Sequence, residues 1–283
     1  MSMDSPNQQR YYASNEYILP ADEAETKRLT LQQPIFVRAF ENRLFLAPGN
    51  FETGDRVLEI GAGNGIWALE FDQQLKNQGI MLEIECIDIT DKMYPTTHPS
   101  NIQFSVRSVL ELPAKWTGAF SYAHQRLVSG AFDDARWHKV LDGISQVLVP
   151  GGWLELFDYD PEETSFAVGP YSKRLESLHL EMFTSRGIII NLGAYLPRLL
   201  EELGFVDVRR EPRRFYLGKS GDGYRYPGNQ WRDLWLGAKE VLVNGGFVQS
   251  GEEYEKVLEE SVLEWENSTK ASATFFIVVA RKP

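Results

Sequence analysis

The chain predicts an α/β fold built on a doubly wound, mainly parallel sheet. Three observations carry that reading: a short apolar strand that runs through a glycine turn into a helix at 57–67, a second apolar strand that closes on Asp88, and the alternation of helical and strand patterns over the rest of the sequence. In VLEIGAGNGIW, Val57, Leu58 and Ile60 suit a buried parallel strand, while Gly61, Gly63 and Gly65 let the backbone bend and approach a ligand with no Cβ in the way. The turn reads GxGxG and follows an acid, Glu59, so it departs from the dinucleotide GxGxxG pattern. A carboxylate at that point repels a pyrophosphate but suits a ligand carrying an ammonium group and hydroxyls.

The second strand, LEIECIDIT at 82–90, ends near Asp88, twenty-three positions after Gly65. That is close to the roughly 20 residues at which a doubly wound fold places the acid that holds a ribose. S-adenosylmethionine (SAM) combines an ammonium group with a ribose diol. NIQFSVRSVLELP (101–113) predicts a third strand, FSYAHQRLV (120–128) a fourth and VPGGWLELFDYD (149–160) a turn into a fifth. Helical patterns run from Asp22 onward, over 171–187 and over 192–204, the last stopped by Gly204. FVDVRREPRRFYLG and ATFFIVVARK (273–282) are the remaining strands.

The order ExGxGxG, strand-end acid, FxVxxxxELP, HxR and PGGWLEL resembles the class I SAM-dependent methyltransferases. YILPADEAETKRLTLQQ (17–33), HQRLVSGAFDDARWHKVL (124–141) and VLVPGGWLELFDYD (147–160) are similar to the fungal methyltransferases related to the secondary-metabolism regulator LaeA. The resemblance implies a Rossmann-like, seven-stranded mixed sheet whose last strand is antiparallel, with helices on both faces and an N-terminal helical lid. It implies one methyltransferase domain after a disordered tail at 1–10: a helical cap at 11–50, a SAM-binding core at 51–160 and substrate-side helices and strands at 161–283.

Carried over to this chain, the resemblance places Glu59, Gly61, Ala62, Gly63, Asn64 and Gly65 around the methionine and ribose of SAM, Asp88 on the ribose hydroxyls and Ile89 on adenine. Ser108 stands where related enzymes often have an Asp for the adenine amino group; its hydroxyl can still accept that bond, and the Val109 N–H can donate to the ring. Tyr17 is the expected lid contact. His124, Gln125 and Arg126, at the end of the fourth strand, are expected nearest the sulfonium and the acceptor. His124 is the candidate general base, because its ordinary pKa lies near neutrality. The alternative is structural: the imidazole bonded to backbone and Arg126 paired with Asp133 or Asp134. Phe183, Tyr195, Trp231 and Arg126 are the candidate acceptor pocket, which aromatic side chains commonly line.

A formal charge of −11 opposes nucleic-acid binding, and the basic run VRREPRRF (208–215) is interrupted by Glu211 and Pro212, as a solvated strand face would be. No apolar run approaches the length of a membrane span, and the N-terminus lacks a secretory signal core. The single cysteine, Cys86, excludes an intrachain disulfide and reads as a core residue, and the four histidines show no zinc spacing, so no metal is expected. The expected location is cytoplasmic, with the nucleus as the other compartment.

The leading expectation is therefore a methyltransferase that converts SAM to S-adenosylhomocysteine (SAH) while methylating an O, N or S atom of a small natural product, with thiols and acidic phenols the least demanding of a base. The alternatives are a protein or histone methyltransferase and a non-catalytic SAM-binding regulator of secondary metabolism. No protein partner is indicated by the residues themselves.

Overall fold

The computed structural model describes residues 10–14, 17–218 and 224–283. Most of the tail expected at 1–10, and part of the loop after FYLG, lie outside those residues. Strands β1 (Arg56–Ile60), β2 (Glu83–Asp88), β3 (Ile102–Val106), β4 (Phe120–Arg126), β5 (Leu148–Ser165), β6 (Val206–Tyr216), β7 (Tyr224–Arg225) and β8 (Ser272–Arg281) form one sheet in the order β3-β2-β1-β4-β5-β8-β6-β7. The first five pair in parallel, and β8 inserts antiparallel between β5 and β6. This is the expected fold with one strand more than the seven expected, the two-residue β7 beside β6. β3 covers only the first part of the 101–113 segment, and Ser108 then caps a single 3₁₀ turn at Val109–Glu111.

Helices cover both faces, and the period-2 alternation of the strands decides which side chains meet which layer. On one face Val57, Tyr122, Phe157 and Phe275 pack beneath α1 (Glu23–Ala39), α2 (Ile66–Lys76), α4 (Pro170–Ser185), α6 (Gly228–Leu236) and α8 (Gly251–Glu266). On the other, Leu58, Ile60, Leu154 and Val278 pack against α3 (Asp134–Val147) and α5 (Leu192–Glu202). α7 (Lys239–Asn244) adds Leu242 to the first layer.

α1 is the expected helical cap. Asp22 accepts the Glu25 N–H at 3.0 Å, and the acids of the first turn favour the positive end of the helix. Phe36 anchors α1 edge-on to Phe157 and Phe215, with ring centroids 4.6 Å and 5.8 Å away. Ahead of it, the Tyr12 hydroxyl donates to the Gly237 carbonyl at 2.7 Å, which ties the arm across to the end of α6. Cys86 is a fully buried core residue of β2. Two of the four arginines of the basic run on β6 pair with carboxylates: Arg210 with Asp160 and Glu163, and Arg213 with Glu41 and Glu211.

Candidate active site

A cavity of about 400 Å³ opens at the C-terminal ends of β1, β2, β4 and β5, roofed by the N-terminal arm and α1. Its floor begins at the glycine turn. Gly61 and Gly63 take positive φ values of 69° and 55°, and the Gly61 and Ala62 N–H groups donate to the Ile87 carbonyl, folding the turn back over β2. A Cβ on Gly61 would lie 2.6 Å from the Val128 side chain.

Asp88 Oδ2 accepts the Gly63 N–H at 2.8 Å, so the acid holds the turn while facing the cavity. Burial pushes its carboxyl above the ordinary range, against the bonds from Gly63, Ile89 and Thr90. Asn64 faces the cavity and ties the turn to the roof, donating to the Thr26 carbonyl at 3.2 Å and the Thr30 hydroxyl at 3.1 Å. Ile89, Ser108 and Val109 continue the wall, and the Ser108 hydroxyl accepts the Leu110 N–H at 3.2 Å. Gly65, also at positive φ, lies behind the turn as the N-cap of α2 and does not line the cavity.

Glu59 reaches the cavity wall but is nearly fully buried. Parallel register sets Glu59, His124 and Glu155 side by side on adjacent strands, all toward the α1 face. His124 Nδ1 lies 2.5 Å from Glu59 Oε2, and its ring stacks on Trp67 at 3.7 Å. The imidazole therefore borders a small secondary crevice under Trp67, away from the main cavity. That corrects the expectation of a general base there. It is also not bonded to backbone, as the structural alternative expected.

Gln125 points to the opposite, apolar face, because neighbours along a strand alternate, and is not on the cavity wall. Arg126 does reach the cavity; its Nη1 donates to Gln33 Oε1 at 2.6 Å rather than to Asp133 or Asp134. Asp133 caps α3 and Asp134 accepts the Tyr195 hydroxyl, which holds Tyr195 away from the cavity. Trp231 is completely buried among Tyr159, Tyr226 and Phe275; one turn on, Trp235 is the tryptophan of α6 that lines the cavity. Phe183 lines it as expected, beside Ile188 and Ile189. Tyr17 closes the roof, its hydroxyl donating to the Leu127 carbonyl at 3.2 Å.

Further polar residues line the wall, four of them buried on α1 and β5. Glu25 and Arg28, one turn apart on α1, form a buried bidentate pair at 2.6 Å and 2.9 Å, and Arg28 Nη1 has no hydrogen-bond partner among the described residues. Gln32, the next turn along, donates to the Tyr226 hydroxyl at 2.7 Å. Asp158 lies past the end of β4. It accepts the Ser129 hydroxyl at 2.6 Å, the Ser129 N–H at 3.1 Å and the Tyr159 N–H at 2.8 Å. Burial outweighs those donors and pushes its pKa up to about 6. A signal for Asp158 was present in WLELFDYD, whose alternation sets it on the apolar face of Leu154 and Leu156. Among the described residues no group of His, Cys, Asp and Glu could hold a metal ion, and no helix is long and apolar enough to cross a membrane.

The family model described as a methyltransferase domain matches residues 31–209. The N-methyltransferase sirN of Leptosphaeria maculans is 26% identical over 216 residues, covering 74% of this chain and 73% of the relative. The secondary metabolism regulator LAE1 of Hypocrea atroviridis is 26% identical over 247 residues, covering 81% of this chain and 67% of the relative. In fold, the chain is similar to a phosphoethanolamine N-methyltransferase of Haemonchus contortus solved with phosphomonomethylethanolamine and SAH, with a TM-score of 0.51 at 16% identity, covering 95% of this chain and 55% of the nematode chain. With the glycine turn, the strand-end acid and the roofed cavity in place, the chain belongs to the methyltransferase-domain family, as a class I SAM-dependent enzyme of the fungal LaeA-like subgroup.

Proposed function

We propose that the cavity holds SAM at its glycine-turn end and methylates an O, N or S atom of a small natural product at the other. One observation carries this reading: the cavity continues from the glycine turn into an apolar end walled by Phe183, Ile188, Trp235 and Phe275 and roofed by Tyr17 and α1. A roofed apolar end suits a compact acceptor better than an extended peptide.

The donor set fits the cofactor. Asp88 offers a carboxylate for the ribose diol, Ile89 and Val109 offer apolar contact for adenine, and Ser108 offers a hydroxyl at its edge. Glu59 faces the amino group, and the unpartnered Arg28 Nη1 leaves a cation for the methionine carboxylate. Bound SAM supplies an activated methyl group on a sulfonium. The protein's part is to exclude water and hold the acceptor in line, and positioning of that kind can supply much of the acceleration. Nitrogen is supported as the acceptor atom by the N-methyltransferase name of sirN, while thiols and phenols remain the acceptors that need least help from a base.

The test is calorimetric titration with SAM and SAH, then transfer of labelled methyl into fractionated fungal metabolites. Binding with label in a small-molecule fraction is expected. Binding with label only in basic protein, or in nothing, would favour the protein-substrate or regulator reading, and no binding would overturn the site.

A further inference from the structure

The cavity wall carries four carboxylates, and three already have an assignment. Glu25 is neutralised by Arg28, Glu59 is held by His124, and Asp88 holds the glycine turn at the cofactor end. Asp158 is the remaining one. It is 3% exposed, and among the described residues it has no ion pair; its partners are the Ser129 hydroxyl and backbone N–H groups. It lies beside Val128 and Ser129, on the Leu154 and Leu156 side of β5, and shares the cavity wall with the apolar Val128, Phe132 and Ile188. A carboxylate desolvated in such a place, with no cation beside it, costs stability, and groups kept at that cost cluster at functional sites.

Resting on the SAM reading of the cavity, we propose that Asp158 faces the transferred methyl group and takes the proton from a neutral N–H or O–H acceptor as it is methylated. The acceptor atom bonds to the methyl carbon, the carbon–sulfur bond breaks with its electron pair staying on sulfur, and the acceptor proton passes to Asp158. A sulfonium and a carboxylate become a neutral thioether and a neutral acid, and removal of two opposite charges is no burden to an apolar site. Three donors keep the carboxylate from rotating away, and its raised pKa suits proton acceptance near neutrality. The same carboxylate would select acceptors: apolar molecules with a protonated nucleophile enter, and anionic ones such as thiolates are repelled.

The test needs no known acceptor. Sinefungin carries an ammonium group where SAM carries its methyl sulfonium, whereas SAH carries nothing there, so the ratio of their affinities reads the charge facing that position. The other titratable groups on the cavity wall are Tyr17 on the arm, Glu25 and Arg28 on α1, Glu59 on β1, Asp88 on β2, Arg107 after β3, Arg126 on β4 and Tyr159 on β5, and of these Tyr17 is within electrostatic reach of Asp158. On the SAM reading, Glu59 and Asp88 meet parts common to both ligands, so their influence cancels in the ratio.

Wild-type protein at about pH 8 is expected to prefer sinefungin by about tenfold or more, and to lose that preference toward about pH 5 as Asp158 protonates. Asp158→Asn is expected to abolish the preference at every pH while leaving SAH affinity within about twofold. A preference that survives the substitution, a ratio flat with pH, or no preference in the wild type overturns the assignment. If Asp158→Asn fails to fold, the wild-type pH series decides alone. Wild-type protein that binds neither ligand would overturn the SAM reading, and this proposal with it; SAH binding without the preference overturns only the role of Asp158.

Discussion

Glu59 on β1 and His124 on β4 are joined across one parallel strand pair, Oε2 to Nδ1 at 2.5 Å, with the imidazole stacked on Trp67. The acid that opens the glycine turn is thus held by the residue that looked, in sequence, like the base. The histidine sets the orientation of this carboxylate at the cavity wall.

His124→Phe preserves the stack on Trp67 but leaves Glu59 buried without its partner. Leaving a buried polar group without its hydrogen-bond partner costs about 1–3 kcal/mol, so a fall in the thermal midpoint is expected. Glu59→Gln keeps a hydrogen bond to the ring and should cost less stability, yet weaken SAM by about tenfold through loss of the charge facing its ammonium. Calorimetry and thermal denaturation on both variants separate the two effects, and equal behaviour in both would contradict the arrangement.

Gly63→Arg should abolish SAH binding while the far-UV circular dichroism stays native. The position has φ 55°, lies on the cavity floor, and a Cβ there already meets Leu29 at 3.2 Å. Undiminished binding would show that the glycine turn is not the cofactor floor.

Stability should respond to acid through two opposed groups. His179, stacked 3.9 Å from Trp235, has its pKa pulled by burial down to about 3, so the unfolded chain gains a proton near pH 6.5 that the folded protein refuses. Its contribution falls by about 1.4 kcal/mol per unit as pH drops from about 6.5 toward 3. Asp158, pushed up to about 6, binds its proton earlier in the folded state, so it adds about 1.4 kcal/mol per unit as pH drops from about 6 to 4. The two oppose each other alongside the carboxyls of Asp88, Glu155 and Asp160, which burial also raises, so each is read as a difference from the wild type. Urea denaturation over that window should show Asp158→Asn losing stability steeply on acidification and His179→Phe gaining it, and parallel curves would refute the pair.

Glu155 is fully buried and accepts the Leu46 and Ala47 N–H groups at 2.7 Å and 2.8 Å, which pins the loop after α1 to the sheet. Glu155→Leu leaves both donors unsatisfied and should cost about 2–4 kcal/mol. Amide exchange at 46 and 47 is expected to accelerate well beyond that of the β1 core, and unchanged protection there would mean that the loop is held by other contacts.

Periodicity and turn chemistry are local, and what they encode was legible in the chain. The strand-turn-helix at 57–67, the acid that ends β2 and the helix that starts near Asp22 all stand as read, because propensity, patterning and packing agree at those places, and the antiparallel last strand stands as the family resemblance implied. Side-chain destination was not legible. Gln125 and His124 are adjacent in sequence yet point into opposite layers, and strand register, set by pairs distant in the chain, turns His124 toward Glu59 rather than the cavity. Trp231 and Trp235 differ by one helical turn, yet only the second reaches the cavity. The Arg28–Glu25 pair reaches the wall because α1 lies over the sheet ends, and Asp158 because β5 runs past the end of β4. Sequence by itself determined the elements and the glycine turn; tertiary structure alone decided which charges were left facing the cavity, because pairing and desolvation depend on neighbours that the chain brings together only on folding.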